Sequence, residues 1–323
     1  IAHPVLADLP LYLHIVLMIA LYGAFAWRMQ AGLGAGPGAA TVLALIGGWL
    51  SMVWLNIVPT VPVVHELMHR HDAFSRACAK FGSAFFADAN RDIAHIGTHH
   101  IHFDTAEDSD TARRGENTYA FMWRATKGSY LDAWHAEKRR LAVREYSIWS
   151  WRSAILWQLL LVLAIPAAVG VAGGWLAAGI AAASMVASKF LLEALNFLQH
   201  YGLVREPGAA MGQQHTWNHL SRIDRIMGYE ITTHIDHHKN GDLRFDQLKP
   251  YPDAPQMPSV FVCAVLALIP PLWTRFVQPR LQEWDRRFAT PAEQRLAREA
   301  NRAAGWPDWL EPEATAAAVT PAS

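Results

Sequence analysis

Five apolar stretches, at roughly Leu9–Met29, Gly38–Val58, Ile148–Val171, Trp175–Leu198 and Pro258–Val277, each approach the length of a membrane crossing. A helix needs about 20 mainly apolar residues to span the hydrocarbon core. Inside that core every backbone polar group must be bonded within the segment, which leaves helices as the spanning structure for runs of this length. The expected fold is therefore an all-α polytopic transmembrane bundle. The composition agrees: of 323 residues 52% are hydrophobic and only 17% charged, too apolar for an ordinary soluble enzyme. A weaker stretch, Ala77–Ala89, is too short to cross and is expected to be re-entrant or to pack beneath a site. Lys189 and Glu193 fall inside an apolar span, a costly placement unless they face a bundle interior or cavity.

The loops indicate an orientation. Gln30–Pro37 and Ala172–Gly174 carry no Lys or Arg, whereas Arg70–Arg152, Arg205–Lys249 and the chain after Arg275 are rich in both. The excess of basic residues places those three regions in the cytosol, with the protein in the inner (cytoplasmic) membrane. Residues 1–278 read as the membrane domain and 279–323 as a cytosolic helical tail, with Ala314–Ser323 expected to be disordered. No internal repeat is present. The formal net charge of zero gives no argument for nucleic acid as a partner. No signal peptide is expected before the first span.

Nine of the 16 histidines gather at the borders of the apolar runs. His65 and His69 lie in HELMH, His95, His99 and His100 in HIGTHH, and His234, His237 and His238 in HIDHH; His200 stands alone at the end of an apolar helix. On a helix each spacing turns its imidazoles to one side or nearly so. Neutral imidazole binds iron, copper or zinc. Zinc sites close with three or four ligands, so nine histidines exceed one zinc and suit two metals with four or five ligands each. HELMH also matches the HExxH of zinc proteases, a weaker reading because it ends a membrane helix and two further clusters compete for metal. Ligating histidines usually donate their second N–H to a carboxylate or carbonyl. Glu66, Asp104, Asp108, Asn196, His215, His219 and Asp236 are the candidates for that supporting role, and the carboxylates of Asp110 and Asp242 are also near in sequence. The run DTAEDSD after the second cluster is otherwise a solvated acidic loop. His71, His102 and His135 read as surface residues. Cys78 and Cys263 are far apart and form no CxxC, so iron–sulfur ligation by this chain is excluded and electrons must come from another protein.

At these residues the chain resembles the integral-membrane alkane monooxygenases, within the wider group of fatty acid desaturases and hydroxylases. HELMH, HIGTHH and HIDHH resemble that family's three boxes, and NFLQHYGLVRE at Asn196–Glu206 resembles its segment around a lone histidine. The similarity covers roughly residues 50–290. It implies that the nine histidines bind two iron ions and that O2 is the oxidant. It implies a hydrophobic small-molecule substrate that enters from the lipid bilayer and is hydroxylated at a methyl group. Electrons would come from NAD(P)H through a separate reductase and a rubredoxin- or ferredoxin-type carrier. Ala94 stands where the alkane enzymes usually have Glu, and Met68 and Arg70 where they have Gly and Lys. HELMHR, HTWNHLSR and the Ala289–Pro307 segment are closer to the xylene-monooxygenase branch, which oxidises a methyl on an aromatic ring. The family usually has four spans before its first box, and 64 residues precede His65, so the resemblance implies an N-terminal hairpin absent from this sequence. Trp49, Leu55, Phe86, Leu192 and Phe197 are candidate channel walls. Alternatives are an acyl desaturase with the same metals and a non-catalytic membrane metal-binding protein or transporter.

Overall fold

A computed structural model describes residues 4–32 and 38–310. Part of the glycine-rich loop before Gly38 and the expected disordered Ala314–Ser323 lie outside them. The regular structure of the described chain is almost all helical. Its long helices are α1 (Pro4–Gln30), α2 (Ala39–Ile57), α7 (Thr118–Ala142), α8 (Ala154–Gly173), α9 (Trp175–His200) and α13 (Pro270–Arg287). Shorter helices carry the chain between them: α3 (Thr60–Met68), α4 (Ala73–Ala84), α5 (Arg91–Ala94), α6 (His100–His102), α10 (Arg222–Met227), α11 (His234–Lys239), α12 (Val260–Ala267) and α14 (Pro291–Ala303). The strands β1 (Asn218–His219) and β2 (Gln256–Met257) form one small parallel pair.

Among the described residues four helical stretches are long and apolar enough to cross a membrane: Val5–Gln30, Ala39–Met68, Ala154–Gly173 and Trp175–His200. The protein is an all-α polytopic membrane bundle. The second span runs through a short break at Val58–Pro59, so its end carries His65 to the edge of the apolar slab. Helix α9 is the hub: α2, α7 and α8 all pack along it. Gly174, at φ +85°, makes the tight α8–α9 reversal in a left-handed conformation that a side chain would resist. Outward-facing apolar side chains such as Val171 (91% exposed) and Trp175 (90%) at this reversal suit a lipid neighbour.

The fifth apolar stretch does not span. Ile269 is extended (φ −118°, ψ 91°) and Pro270 and Pro271 follow, which ends α12 after eight residues and restarts the chain as α13. Proline lacks the N–H that would continue the helix and disfavours helical backbone in the residue before it. The two pieces instead build a cap with α7 and the end of α9, with Phe121, Phe197, Tyr201, Trp217, Trp273 and Trp284 at its core. Helix α13 runs without interruption through Pro279. The third span starts at Ala154 rather than Ile148, because residues 148–153 form turns. Ala77–Ala89 becomes the end of α4 and a turn packed against α3 and α8.

Candidate metal centre

The four histidine-bearing segments meet at one end of the bundle. His65 and His69 sit at the end of α3, one turn apart on one face. His200 is the last residue of α9 and is 1% exposed. Behind it the chain reverses at Gly202 (φ +69°), whose N–H donates to the Ala112 carbonyl at 2.9 Å. His234, His237 and His238 project from α11, and all three are buried.

The nine imidazoles divide into two sets. His65, His69, His95, His100 and His237 form one; His99, His200, His234 and His238 form the other. Helical spacing alone would not divide the second motif this way. Residues His95–His99 form a π-helical turn, a wider coil that brings residues five apart onto one face. His95 and His100 therefore share the first set, while His99 turns toward the second. In α11 the ordinary helical spacing keeps His234 and His238 together and sends His237 to the first set.

The Nε2 atoms converge at ligand spacing. His65 to His95 is 3.0 Å, His95 to His100 is 3.1 Å and His100 to His237 is 3.3 Å in the first set. In the second set His200 to His234 is 3.1 Å and His234 to His238 is 3.0 Å. Ligands at right angles with metal–nitrogen bonds of about 2.1 Å would lie about 3.0 Å apart. For the His200–His234 pair the tautomers show that the contact suits a metal rather than a hydrogen bond. His200 Nδ1 faces Asp104 at 3.0 Å and His234 Nδ1 faces the Ile231 carbonyl at 3.2 Å. Both partners accept, so both Nδ1 atoms carry the proton and both Nε2 atoms present lone pairs to each other. Two lone pairs at that distance repel unless a cation lies between them. His69 Nε2 is buried with no hydrogen-bond partner, which a metal would also satisfy. Burial lowers the pKa of His69 to about 4 and of His100 to about 2. It also holds His95, His234, His237 and His238 well below the usual histidine range. The neutral form that binds metal is thus favoured.

Two of the seven supporting candidates touch an imidazole. Asp104 accepts from His200, and Asp108 accepts from His99 Nδ1 at 2.9 Å while also holding Thr111 Oγ1 at 2.6 Å. Asp108→Asn is expected to weaken metal retention about 10- to 100-fold, read by competition with a chelator. Chelator sensitivity equal to that of the unsubstituted chain would mean that Asp108 only braces its loop. The other five lie elsewhere for identifiable reasons. Glu66 is occupied by Arg70 at 2.6 Å and the Phe245 N–H at 3.1 Å. Asp236 is taken up elsewhere, accepting from Lys249 N at 2.8 Å and Tyr251 Oη at 3.0 Å, and so anchors α11. Asn196 donates to Glu193 at 2.8 Å. His215 pairs with Glu293 at 2.5 Å in the cap, and His219 Nδ1 lies 2.6 Å from the Pro258 carbonyl.

A buried ionic cluster adjoins the centre. Lys189 Nζ is 2.7 Å from Asp88, 3.0 Å from Ser129 Oγ and also bonded to Glu193; Arg91 is 3.1 Å from Asp110. Lys189 and Glu193 therefore face the bundle interior. Asp88 and Arg91 escaped the sequence reading as site residues because their partners, Lys189 and Asp110, lie in distant segments. The charged pair inside α9 was the one signal that such partners must exist.

A cavity of about 110 Å³ opens beside both sets, touching His65, His95, His99 and His234. Its remaining walls are mainly apolar, including Ile57, Val61, Phe86, Leu192 and Phe261. Of the candidate channel residues, Phe86 and Leu192 line it and Trp49, Leu55 and Phe197 do not. Phe197 is instead committed to the cap core.

Comparison with known proteins gives a consistent grouping. The fatty acid desaturase family profile matches residues 39–259. The xylene/toluene monooxygenase hydroxylase component XylM of Pseudomonas putida is 44% identical over 311 residues, covering 96% of this chain and 84% of that protein. Alkane 1-monooxygenase 1 of Pseudomonas aeruginosa is 32% identical over 250 residues, 73% of this chain and 65% of its own length. An alkane 1-monooxygenase of Pseudomonas putida is 29% identical over 254 residues, 73% of this chain and 63% of its own length.

Proposed function

This chain belongs to the fatty acid desaturase family, and we propose that within it the protein is a membrane di-iron monooxygenase that hydroxylates a methyl group on a small aromatic hydrocarbon. The observation that carries the reading is the mainly apolar cavity in contact with histidines of both sets. The greater similarity to the xylene/toluene enzyme component than to the alkane enzymes supports an aromatic substrate over a linear one.

The nine histidines would hold two irons, five ligands on one and four on the other, with Asp104 and Asp108 fixing ring orientation in the second set. Bound iron would supply the activation of O2 that no acid–base side chain can provide. The protein's own part is positional. Val61, Leu192 and Phe261 exclude water and hold the substrate methyl toward His65, His95, His99 and His234. One oxygen atom enters the C–H bond to give the benzylic alcohol. The other leaves as water, with electrons from a separate carrier protein and reductase and protons from solvent. The histidine clusters lie within the basic segments Arg70–Arg152 and Arg205–Lys249 or at helix ends bordering them, which supports a cytosolic metal centre and a surface suited to an acidic carrier.

Product analysis tests the assignment. Membranes holding the full chain, NADH and a compatible electron-transfer pair receive p-xylene, octane and a long acyl ester together. The expected product is 4-methylbenzyl alcohol. Octan-1-ol as the main product would move the protein to the alkane branch, and a new double bond without added oxygen would make it a desaturase.

A further inference from the structure

The cavity wall contains one residue that an apolar pocket does not need. Among the described lining residues Arg91 is the only lysine or arginine. It is 5% exposed and sits four residues before His95, beside both histidine sets. Its Nη1 lies 3.1 Å from Asp110, 3.8 Å from Glu193 and 3.9 Å from Asp88. That nitrogen nevertheless makes no hydrogen bond. The guanidinium is thus held in place by surrounding carboxylates while part of its donor capacity remains unused. The other charged lining group, Asp224, is committed: Ser221 Oγ (2.6 Å), Ser259 Oγ (2.8 Å) and Val260 N (3.2 Å) all donate to it.

A desolvated cation distinguishes hydrocarbons by their electrons rather than their size. The negative face of an aromatic ring attracts it, most strongly where water is excluded. A saturated chain offers no such face and only covers a charged group with alkyl surface. We propose that Arg91 is a specificity-determining residue, selecting an aromatic substrate by setting its guanidinium against the ring while the ring's methyl is presented to the histidine centre. This inference deepens the aromatic-methyl reading and rests on it. Asp110, Asp88 and Glu193 are then positioning residues that fix the guanidinium.

Two measurements test the role. The first compares the unsubstituted chain with the double variant R91M/D110N, which removes the cation together with one neighbouring anion. Both receive p-xylene and octane in competition, with turnover expressed per bound iron. The p-xylene to octane ratio is expected to fall about tenfold or more in the variant; an unchanged ratio at equal iron content overturns the proposal and leaves Arg91 as a structural tie. The second measurement needs neither turnover nor a variant that folds. The full chain in lipid nanodiscs, without reductant, binds toluene, pentafluorotoluene or methylcyclohexane, each corrected for partitioning into empty nanodiscs. Toluene is expected to bind about tenfold or more tightly than the other two, because fluorination reverses the ring's charge distribution and saturation removes it. Equal affinities overturn the proposal. A chain that binds toluene selectively, and loses that selectivity in R91M/D110N, yet oxidises neither hydrocarbon would refute the proposed reaction and leave the binding role of Arg91 standing.

Discussion

His200→Ala is expected to abolish hydroxylation and to lower bound iron toward half of that in the unsubstituted chain. The reason lies in the unequal ligand sets. His200 belongs to the set of four, whereas His237 belongs to the set of five. Loss of His200 leaves three imidazoles and an unpaired Asp104 carboxylate behind them. His237→Ala leaves four imidazoles in its set, enough to keep a metal with altered geometry. The prediction is therefore a contrast: both variants lose turnover, but His237→Ala retains more iron. Elemental analysis of purified protein, with Mössbauer spectra of enriched samples, separates the two cases. Equal iron content in both variants would mean that the division into sets of five and four does not describe the loaded site. Full iron and full turnover in His237→Ala would remove that residue from the ligand set.

The second large effect is expected far from the histidines in sequence. Arg114 and Asp285 are both fully buried and meet through two hydrogen bonds, Nη1 to Oδ2 at 2.7 Å and Nη2 to Oδ1 at 2.6 Å. Arg114 also donates to the Gly202 carbonyl at 2.8 Å and to Asn301 Oδ1 at 2.8 Å. One guanidinium thus joins the loop after the second histidine motif, the turn behind His200, and helices α13 and α14. Asp285→Ala leaves that cation buried and unpaired, which costs about 3–5 kcal/mol. The expected result is a large drop in thermal stability in detergent and early proteolysis of the α13–α14 segment. Iron loss follows, because Gly202 is two residues from His200. The double variant R114M/D285L removes both charges and is expected to recover most of the lost stability, since buried ion pairs replaced by apolar residues of similar volume are often neutral. No recovery would show that the polar bonds to Gly202 and Asn301 matter more than the ion pair.

Much of this site was legible in the chain because its signals are short-range. Imidazole spacings within a few residues mark the histidines as a ligand group, and four of the five long apolar runs correspond to helices long enough to cross a bilayer. Asp104 and Asp108 were also within reach, since they follow the second motif directly and carboxylates commonly support ligating histidines. Glu66, Asn196, His215, His219 and Asp236 had the same proximity in sequence or chemistry, yet none touches an imidazole. Each is held by a partner brought in from elsewhere: Phe245 for Glu66, Glu193 for Asn196, Glu293 for His215, Pro258 for His219 and Tyr251 for Asp236.

By itself the sequence determined an all-helical membrane bundle and nine histidines gathered at helix borders, because apolar length and local spacing depend on little beyond neighbouring residues. Tertiary structure decided how those histidines divide. The motif at His95–His100 is compatible with an α-turn that pairs His95 with His99 and with a π-turn that pairs His95 with His100, and the observed turn is the second. It also decided that the two halves of Pro258–Val277, parted locally by Pro270 and Pro271, pack as a cap, and that Arg91 and Asp110, 19 residues apart in sequence, meet beside the cavity. Contacts between distant segments depend on how whole helices pack, and a buried charge finds its partner only once that packing has removed water from both.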